Sequence, residues 1–401
     1  MRNSQPHNTK FLWTYIRNCI THINDSKENY IRFMTHCHFA TLPSRWACEY
    51  GESIMDCTML KDVGEKEIIR TIIKPLFNPD NRRDLAGDDS AIIDTSSVRH
   101  VCCSTDRVPS DLISFKLGII TYFELGYYLA VLNISDIIAT GAQPIGLLVN
   151  LAFPGDFLLR DLKTLLHGVD TACKEYECEV LGGDLSSSVE MNISATSLGT
   201  INTASPLYRS GAMIGDYIYC SDFIGLTSTA FHYFLKARSL GLSLSESHET
   251  LLRNQFRRPR ARLTVSHQLS LLSSQSMRVT CMDNTDGVGQ TLLELSELNA
   301  QAFHLNTSLL PIHDVSFLVA FFLDIDVVDM VLAGGADFQL IGTIDSSLSS
   351  EDISARLSNN LKIIGETHGG DGVWLVDRNS RSRPYRAVGW DYFATESIFH
   401  G

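Results

Sequence analysis

Six short acidic signatures lie between Asp88 and Asp337, and most of them end an apolar run of the sequence. They are G-D-D-S at 87–90, S-T-D at 104–106, N-I-S-D at 133–136, L-G-G-D at 181–184, M-D-N-T-D-G at 282–287 and G-G-A-D-F at 334–338. Carboxylates and hydroxyls are hard oxygen donors, the ligands that Mg²⁺ prefers. Their repeated position at the ends of hydrophobic segments predicts a shared site for Mg²⁺ and phosphate groups.

Each signature taken alone also fits an ordinary structural role. Asn133 and Asp136 are three residues apart and share one face of a predicted apolar helix. A bare carboxylate there is unfavourable unless it is paired or binds metal, whereas a surface aspartate near the helix end is the alternative. Gly182-Gly183 before Asp184 predicts either close approach of the backbone to a ligand or a tight turn.

The last strong pair is Asp283 and Asp286, which end a predicted strand and precede Gly287. Phosphoryl-transfer enzymes hold Mg²⁺ near a helix start in this way. Asp88-Asp89 is weaker, because G-D-D also makes a good turn. The set as a whole, rather than any single member, predicts the site.

Composition limits the class of protein that could carry such a site. The 401 residues are 44% apolar and 20% charged, enough for two or three folded domains. A net charge of −13 argues against nucleic acid or an anionic membrane as the main partner. Ten cysteines without a C-x-x-C pair, and a polar start at Met1 to Lys10, predict a reduced cytoplasmic protein without a secretory signal. Acidic residues interrupt the apolar stretches 117–142 and 316–336, so both are interpreted as buried helices, not membrane spans.

Strand and helix patterns alternate from Gly64 onward, which predicts an α/β chain. The first half is predicted to contain helices at 65–77, 117–140 and 156–176, and strands at 90–94, 98–104, 146–153, 179–181 and 189–195. The second half is predicted to contain helices at 226–237 and from Gly289, a Ser-rich loop at 239–249 and a basic cluster at 253–262. Its predicted strands are 216–220, 277–282, 338–343, 362–366 and 373–376.

These patterns divide the chain into an N-terminal extension at 1–60, a first domain at 61–204 and a second at 205–401. The extension contains His36, Cys37, His38, Cys48 and Cys57, but their spacing matches no zinc-binding pattern that we would trust. We interpret it as an appended or poorly ordered segment.

Several enzyme classes are excluded by the motifs that are missing. The chain has no G-x-x-x-x-G-K-[ST], no H-R-D or D-F-G, no G-x-S-x-G and no H-E-x-x-H. The thirteen histidines, His304 and His313 among them, form no convincing ligand pair. Cys102 and Cys103 lie in a predicted strand and are expected to be core residues rather than nucleophiles.

Read in order, the motifs resemble the superfamily of aminoimidazole ribonucleotide synthetase, selenophosphate synthetase and thiamine-monophosphate kinase. The resemblance is greatest to the kinase branch and runs from Gly64 to the G-W-D-Y-F segment at 389–393. It implies a two-domain, PurM-like α/β (α+β) fold with a C-terminal α/β domain. It also implies a homodimer in which the N-terminal sheets pair into a barrel, and ATP and several Mg²⁺ ions as cofactors.

The resemblance also implies roles for individual residues. The implied metal ligands are Asp89, Ser104, Thr105, Asp106, Asp136, Asp184, Asp283 and Asp286. The implied nucleotide contacts are Gly183, Asp184, Arg209 and Thr285, the implied catalytic residues are Asp136, Asp184 and Asp286, and Trp390 is implied to contact the substrate. The implied chemistry is in-line transfer of the γ-phosphoryl group of ATP to a phosphate of a small acceptor.

Two departures from the family pattern fall in the acceptor half. The family has a histidine after S-T-D where this chain has Ile113 or Ser114, and the family's G-G-E-D-Y-E is G-G-A-D-F-Q here, at 334–339. We therefore expect a Mg²⁺- and ATP-dependent kinase whose acceptor is thiamine phosphate or another small molecule. The alternatives are a superfamily enzyme that activates an amide or carboxylate oxygen with ATP for condensation or cyclisation, and a non-catalytic binding or scaffold protein.

Overall fold

The computed structural model describes residues 58–63, 68–77, 100–201, 205–357 and 360–386. The N-terminal extension up to residue 57, the G-D-D-S signature and the G-W-D-Y-F segment lie outside these residues, as does the strand predicted at 90–94. The described residues from Met59 onward belong to one compact unit. No helix among them is long and apolar enough to cross a membrane.

The first sheet is formed by residues 100–201 and has four strands. They are β1 (His100–Arg107), β2 (Gln143–Phe153), β3 (Glu179–Ser187) and β4 (Asn192–Ile201). Their order is β1-β4-β2-β3, with β2 and β3 parallel and the other neighbours antiparallel. Residues alternate along β4 between buried and half-exposed positions, so one face of the sheet is covered and the other is open.

The helices of the first part are α1 (Leu60–Val63), α2 (a π-helical turn at Ile69–Ile73 that continues as Lys74–Phe77), α3 (Ile113–Lys116), α4 (Tyr122–Ala139) and α5 (Leu159–Glu175). The long helix predicted at 117–140 begins later, at Tyr122. The physical reason is a capping box, in which Thr121 accepts from the amide of Phe123 and Glu124 accepts from the amide of Thr121. Gly141 follows the helix with φ +82°, as predicted for its C-terminus.

The second sheet has seven strands, in the order β11-β10-β7-β9-β5-β8-β6. They are β5 (Tyr217–Cys220), β6 (Met282–Asp283), β7 (Ala302–Asn306), β8 (Leu340–Ile344), β9 (Lys362–His368), β10 (Val373–Val376) and β11 (Ser382–Pro384). β7 and β10 are parallel, and the other neighbours are antiparallel. The strand predicted at 277–282 is wrong over most of its length, since only Met282 and Asp283 join the ladder and Val279 and Thr280 form isolated bridges.

The remaining helices are α6 (Leu226–His232, continued by a π-helical turn at Tyr233–Ala237), α7 (Glu246–Arg257), α8 (Leu263–Ser274), α9 (Val288–Asn299), α10 (Asp314–Leu323), α11 (Val327–Leu332) and α12 (Ser350–Arg356). The loop predicted at 239–249 is wrong at its end. Ser245 accepts a hydrogen bond from the amide of His248 and starts α7, so a serine that we interpreted as loop is a helix cap.

Helix α4 is the element that positions the site. It packs against α5, β1 and β4 on one side and reaches β6 of the second sheet on the other. Thirteen of its eighteen residues are buried, which makes it a core helix and not a surface helix. It therefore brings its last turn between the carboxylates of the two sheets. The domain boundary that we predicted at 204/205 falls between the residues of the two sheets and stays a proposal.

Close contact between α4 and α5 depends on two glycines. A Cβ at Gly126 would lie 1.9 Å from the carbonyl oxygen of Leu165, and one at Gly168 would lie 1.9 Å from that of Phe123. We expect Gly168→Ala to lower the free energy of unfolding by about 1–3 kcal/mol, because the helices must separate. Urea denaturation measures this change. Thr164→Ala, on the exposed side of α5, is the control, and equal midpoints for the two variants would contradict the packing described here.

Candidate active site

Four aspartates meet where α4 lies between the two sheets, and we call them the carboxylate cluster. Asp106 is near the end of β1, Asp136 in the last turn of α4, Asp283 in β6 and Asp286 in the turn before α9. Their charges act on each other, since Asp136 raises the pKa of the other three. Residues far apart in the sequence thus come together in the structure.

Two serine hydroxyls orient the cluster. Ser104 Oγ donates to Asp136 Oδ2 at 2.6 Å, and Ser135 Oγ donates to Asp283 Oδ2 at 2.7 Å. Ser135 is buried, so its bond ties α4 to β6 inside the protein. Both bonds favour the ionised form of their carboxylates and fix the direction in which the acids point.

Asn133 holds the backbone of β1 against α4. Its Oδ1 accepts from the amide of Asp106 at 2.9 Å, and its Nδ2 donates to the carbonyl of Leu129 at 2.9 Å. Asn133 is completely buried, so this amide is a structural clamp. The shared helix face predicted for Asn133 and Asp136 is confirmed, because both side chains contact β1.

Burial makes the cluster hard to ionise in the absence of a cation. Burial first, and then the charge of Asp136, raise the pKa of Asp106 to about 6 and that of Asp283 to about 7. Burial is also the largest cause that raises the pKa of Asp136 and of Asp286. Buried carboxylates that repel one another do not stabilise the fold as an ion-pair network would. They are instead suited to the binding of a cation.

Arg209 is a cation that acts on the carboxylate cluster. Its charge lowers the pKa of Asp136, Asp283 and Asp286 and so opposes the effect of burial. Arg209 is exposed, which leaves its guanidinium accessible to a ligand. The geometry therefore combines oxygen donors for a metal with a donor for phosphate.

The loop that carries Arg209 is clamped by a residue that the sequence did not indicate. Asn299, at the end of α9, accepts from the amides of Gly211 and Ala212 at 2.8 and 2.9 Å and donates to the carbonyl of Arg209 at 3.0 Å. A second donated bond anchors it to Leu295. Sequence reasoning missed Asn299, because an asparagine at a helix end has no distinctive pattern, and it missed Ser135 inside N-I-S-D.

Two predicted ligands do not join the cluster. Asp184 lies within β3 and pairs with Asn150 on the open face of the first sheet, where Thr105 also points. The expectation that Asp184 follows a strand is wrong, because β3 continues through it to Ser187. Side chains that differ by one residue along a strand point to opposite faces, so Thr105 faces away from its neighbours Ser104 and Asp106.

The structure explains why residue 183 is a glycine, for a reason that we did not expect. A Cβ there would lie 1.8 Å from the carbonyl oxygen of Val149, so glycine is needed for the approach of β3 to β2. Its φ of +155° is consistent with that requirement. Gly183 therefore needs no ligand contact to account for its type.

The sixth signature is also structural. Asp337 accepts from the amides of Gly225 and Thr227 at 2.7 and 2.8 Å, at the start of α6. It is buried there and holds the start of α6 to the segment that precedes β8, so it is not part of the carboxylate cluster. The expectation that all six signatures share one site is thus too broad.

The other predicted site residues are placed as follows. Thr285 is half-buried beside Asp286, whereas Asp89 and Trp390 lie outside the described residues. In the acceptor half, Ser114 and Gln339 are buried, and Ile113 and Ala336 are half-buried. Cys102 is half-buried, but Cys103 points to the open sheet face, so only part of that pair behaves as core.

The raised pKa values of Asp106 and Asp283 predict a pH dependence of stability. An aspartate in the unfolded chain has a pKa of about 3.9, so between about pH 4 and pH 7 the folded, metal-free protein holds more protons than the unfolded chain. Its free energy of unfolding should therefore fall as the pH rises through this window. We expect Asp283→Asn to flatten that slope in urea denaturation with EDTA at pH 5 and pH 8. An identical slope in variant and wild type would contradict the burial argument.

Known proteins resemble this chain in sequence and fold. The family "AIR synthase related protein, N-terminal domain" matches residues 87–201. The thiamine-monophosphate kinase of Pyrococcus abyssi is 27% identical over 340 residues, which cover 84% of this chain and 98% of that protein. That of Synechococcus elongatus is 29% identical over 283 residues, covering 70% and 82%.

A solved structure has the same fold. It is the complex of AaThiL with AMPPCP and TMP, which superposes with a TM-score of 0.62 at 23% identity and covers 84% of this chain and 99% of that one. The matched domain contains Asp106 and Asp136 of the carboxylate cluster, whereas Asp283 and Asp286 lie outside it. This chain is therefore similar to thiamine-monophosphate kinases over most of its length, and its residues 87–201 match the AIR synthase related N-terminal domain.

Proposed function

We propose that this protein transfers the γ-phosphoryl group of ATP to a phosphate of a small acceptor, with Mg²⁺ held by the carboxylate cluster. The observation that carries the proposal is the convergence of Asp106, Asp136, Asp283 and Asp286 in a buried place where the pKa of each is raised. The named relatives are thiamine-monophosphate kinases, so thiamine phosphate is the first candidate acceptor.

The donor set suits Mg²⁺. The cluster offers only oxygen ligands, and a divalent cation would relieve both the repulsion and the unfavourable burial of the carboxylates. The hydroxyls of Ser104 and Ser135 already occupy one oxygen of Asp136 and of Asp283. When bound, Mg²⁺ supplies charge neutralisation for the phosphates of the nucleotide. Asp136 and Asp286 are proposed as catalytic residues on this ground.

Arg209 and the start of α9 are proposed to position the nucleotide. Arg209 can donate to phosphate oxygens in a bidentate manner, and Asn299 fixes the backbone that carries it. Thr285 lies in the turn before α9, a twelve-residue helix whose first amides attract anions. In-line transfer needs this positioning more than covalent help from the protein.

The roles of Thr105 and Asp184 depend on a second copy of the chain. Both lie on the open face of the first sheet, where Val101 is 50% and Leu148 is 37% exposed. We propose a homodimer through this face. The second copy would bury those side chains and would also cover Asp184 and Thr105. We place this dimer in the cytoplasm, in keeping with the free cysteines among the described residues.

The residues at the positions that depart from the family's acceptor pattern carry no charge. Gln339 and Ser114 are buried and polar but uncharged, and Ala336 offers no group that could ionise. An acceptor that relied on a carboxylate or an imidazole at these positions would bind less tightly here. Thiamine phosphate is therefore the first candidate acceptor, and other phosphate esters are further candidates.

Product analysis tests the function. Protein is incubated with Mg-ATP and thiamine phosphate, then with other phosphate-bearing metabolites, and products are identified by mass spectrometry. The expected result is thiamine diphosphate, or another phosphorylated acceptor, together with ADP. ADP with free phosphate and a dehydrated product would instead support the enzyme that activates an amide or carboxylate oxygen. If ATP does not bind at all, the result would support the non-catalytic binding or scaffold protein.

A further inference from the structure

A second group of metal-ligating side chains lies outside the carboxylate cluster. His248 is in the first turn of α7, and His313 and Asp314 are at the start of α10. One donor atom from each of the three residues lies within 4.8 Å of the others. No ligand pair is recognisable among the histidines in the sequence, because His248 and His313 belong to helices that are distant in the chain.

The contacts show how the three side chains are held. His248 Nε2 lies 3.5 Å from Asp314 Oδ1, and His313 Nδ1 lies 2.5 Å from the same oxygen. The ring of His313 packs edge-on against Phe223 with centroids 5.0 Å apart, and the two imidazoles are 5.9 Å apart at 86°. His313 is therefore held by packing against Phe223 and His248, whereas the side chain of Asp314 is 74% exposed.

We propose that His248, His313 and Asp314 bind a transition-metal ion of the zinc class at a site separate from the Mg²⁺ cluster. Two imidazole nitrogens and one carboxylate are a ligand set that suits Zn²⁺ and disfavours Mg²⁺, which prefers oxygen. Ligands of one tetrahedral Zn²⁺ lie about 3.4 Å apart, given bonds of about 2.1 Å. The 3.5 Å between His248 Nε2 and Asp314 Oδ1 is close to this separation, whereas the 2.5 Å between His313 Nδ1 and the same oxygen must lengthen when the ion binds.

The local structure allows the ion. The amide of Val315 donates to His313 Nδ1 at 3.2 Å and to Asp314 Oδ1 at 2.8 Å, so the amide keeps Asp314 as an acceptor when His313 Nδ1 binds the ion. The positive end of α10 opposes a cation, but the charge of Asp314 offsets it. The ion would tie the start of α7 to the start of α10, with its fourth position open to water.

The simpler account is that His313 and Asp314 only cap α10. The two accounts differ in what zinc does, and variants can separate them. His313→Ser removes the ligand nitrogen but keeps a hydroxyl that can cap the helix, and His248→Ala removes a ligand that takes no part in the cap. His167→Ala removes an exposed histidine on α5 and is the matched control.

Zinc titration of the full chain tests the proposal. The protein is stripped with EDTA, saturated with Mg²⁺ and titrated with chelator-buffered Zn²⁺, and Co²⁺ absorption in the visible range reports histidine ligation. We expect His248→Ala and His313→Ser to lose one equivalent of zinc or at least about tenfold in affinity, relative to wild type and His167→Ala. Zinc should also raise the melting temperature of wild type and His167→Ala more than that of these two variants.

Equal zinc stoichiometry, affinity and cobalt spectra in all four proteins would overturn the proposal and leave a plain helix cap. The binding readouts do not involve ATP or an acceptor. The outcome is therefore independent of whether the proposed kinase activity is found.

Discussion

Asp136→Asn is expected to lower kcat/KM for phosphoryl transfer by at least about 100-fold. Asp136 is the centre of the carboxylate cluster, since its charge acts on Asp106, Asp283 and Asp286. Asparagine keeps the size of the side chain and an acceptor for Ser104 but removes the negative charge. Loss of metal-held charge stabilisation in a desolvated site has effects of this size. Steady-state kinetics with saturating Mg²⁺ measure the change.

Misfolding is separated from loss of function by the direction of the stability change. Burial makes the charge of Asp136 unfavourable in metal-free protein, so Asp136→Asn should be at least as stable as wild type in EDTA. Asp111→Asn, an exposed carboxylate in the turn before α3, is the matched control and should keep full activity. Full activity of Asp136→Asn would remove the cluster from the mechanism.

Arg209→Ala is expected to weaken the binding of Mg-ATP by about 10- to 100-fold, the range of one charged hydrogen-bonded contact. Arg209 is the cation whose charge lowers the pKa of three cluster members, and its exposure leaves it accessible to phosphate. Isothermal titration with a non-hydrolysable ATP analogue measures the dissociation constant. Arg356→Ala, an exposed arginine at the end of α12, should bind as wild type does.

Asn299→Ala should produce part of the same loss, since its amide holds the Arg209 loop through three hydrogen bonds. In the double variant the two losses of ATP affinity should not add, because the loop affects ATP binding only through the guanidinium of Arg209. Additive losses, or an unaffected Arg209→Ala, would place the nucleotide elsewhere.

The sequence predicted the parts of the site that depend on local spacing. Asn133 and Asp136 fall on one helix face at a separation of three, and Gly141 ends that helix, as local rules require. The α/β alternation and strands such as Val373–Val376 followed from hydrophobic patterns in the same way. Convergence of Asp106, Asp136, Asp283 and Asp286 followed from their positions at the ends of elements.

The predictions that were wrong depend on strand register and on contacts between residues distant in the chain. The face on which Asp184 lies is set by its pairing with Asn150, and a shift of one residue would reverse it. Asp337 accepts hydrogen bonds from Gly225 and Thr227, which are more than one hundred residues away in the chain. The start of α7 was missed although its cap, Ser245, was visible, because a Ser-rich stretch is compatible with both a cap and a loop.

The most direct test of the carboxylate cluster as a Mg²⁺-ATP site is calorimetric titration with a non-hydrolysable ATP analogue, in Mg²⁺ and in EDTA, for wild type and Asp136→Asn. We expect tight binding only for wild type with Mg²⁺, because phosphates and bare carboxylates repel each other without a cation between them. Equal binding by wild type in EDTA and in Mg²⁺, or unchanged Mg²⁺-dependent binding by Asp136→Asn, would contradict it.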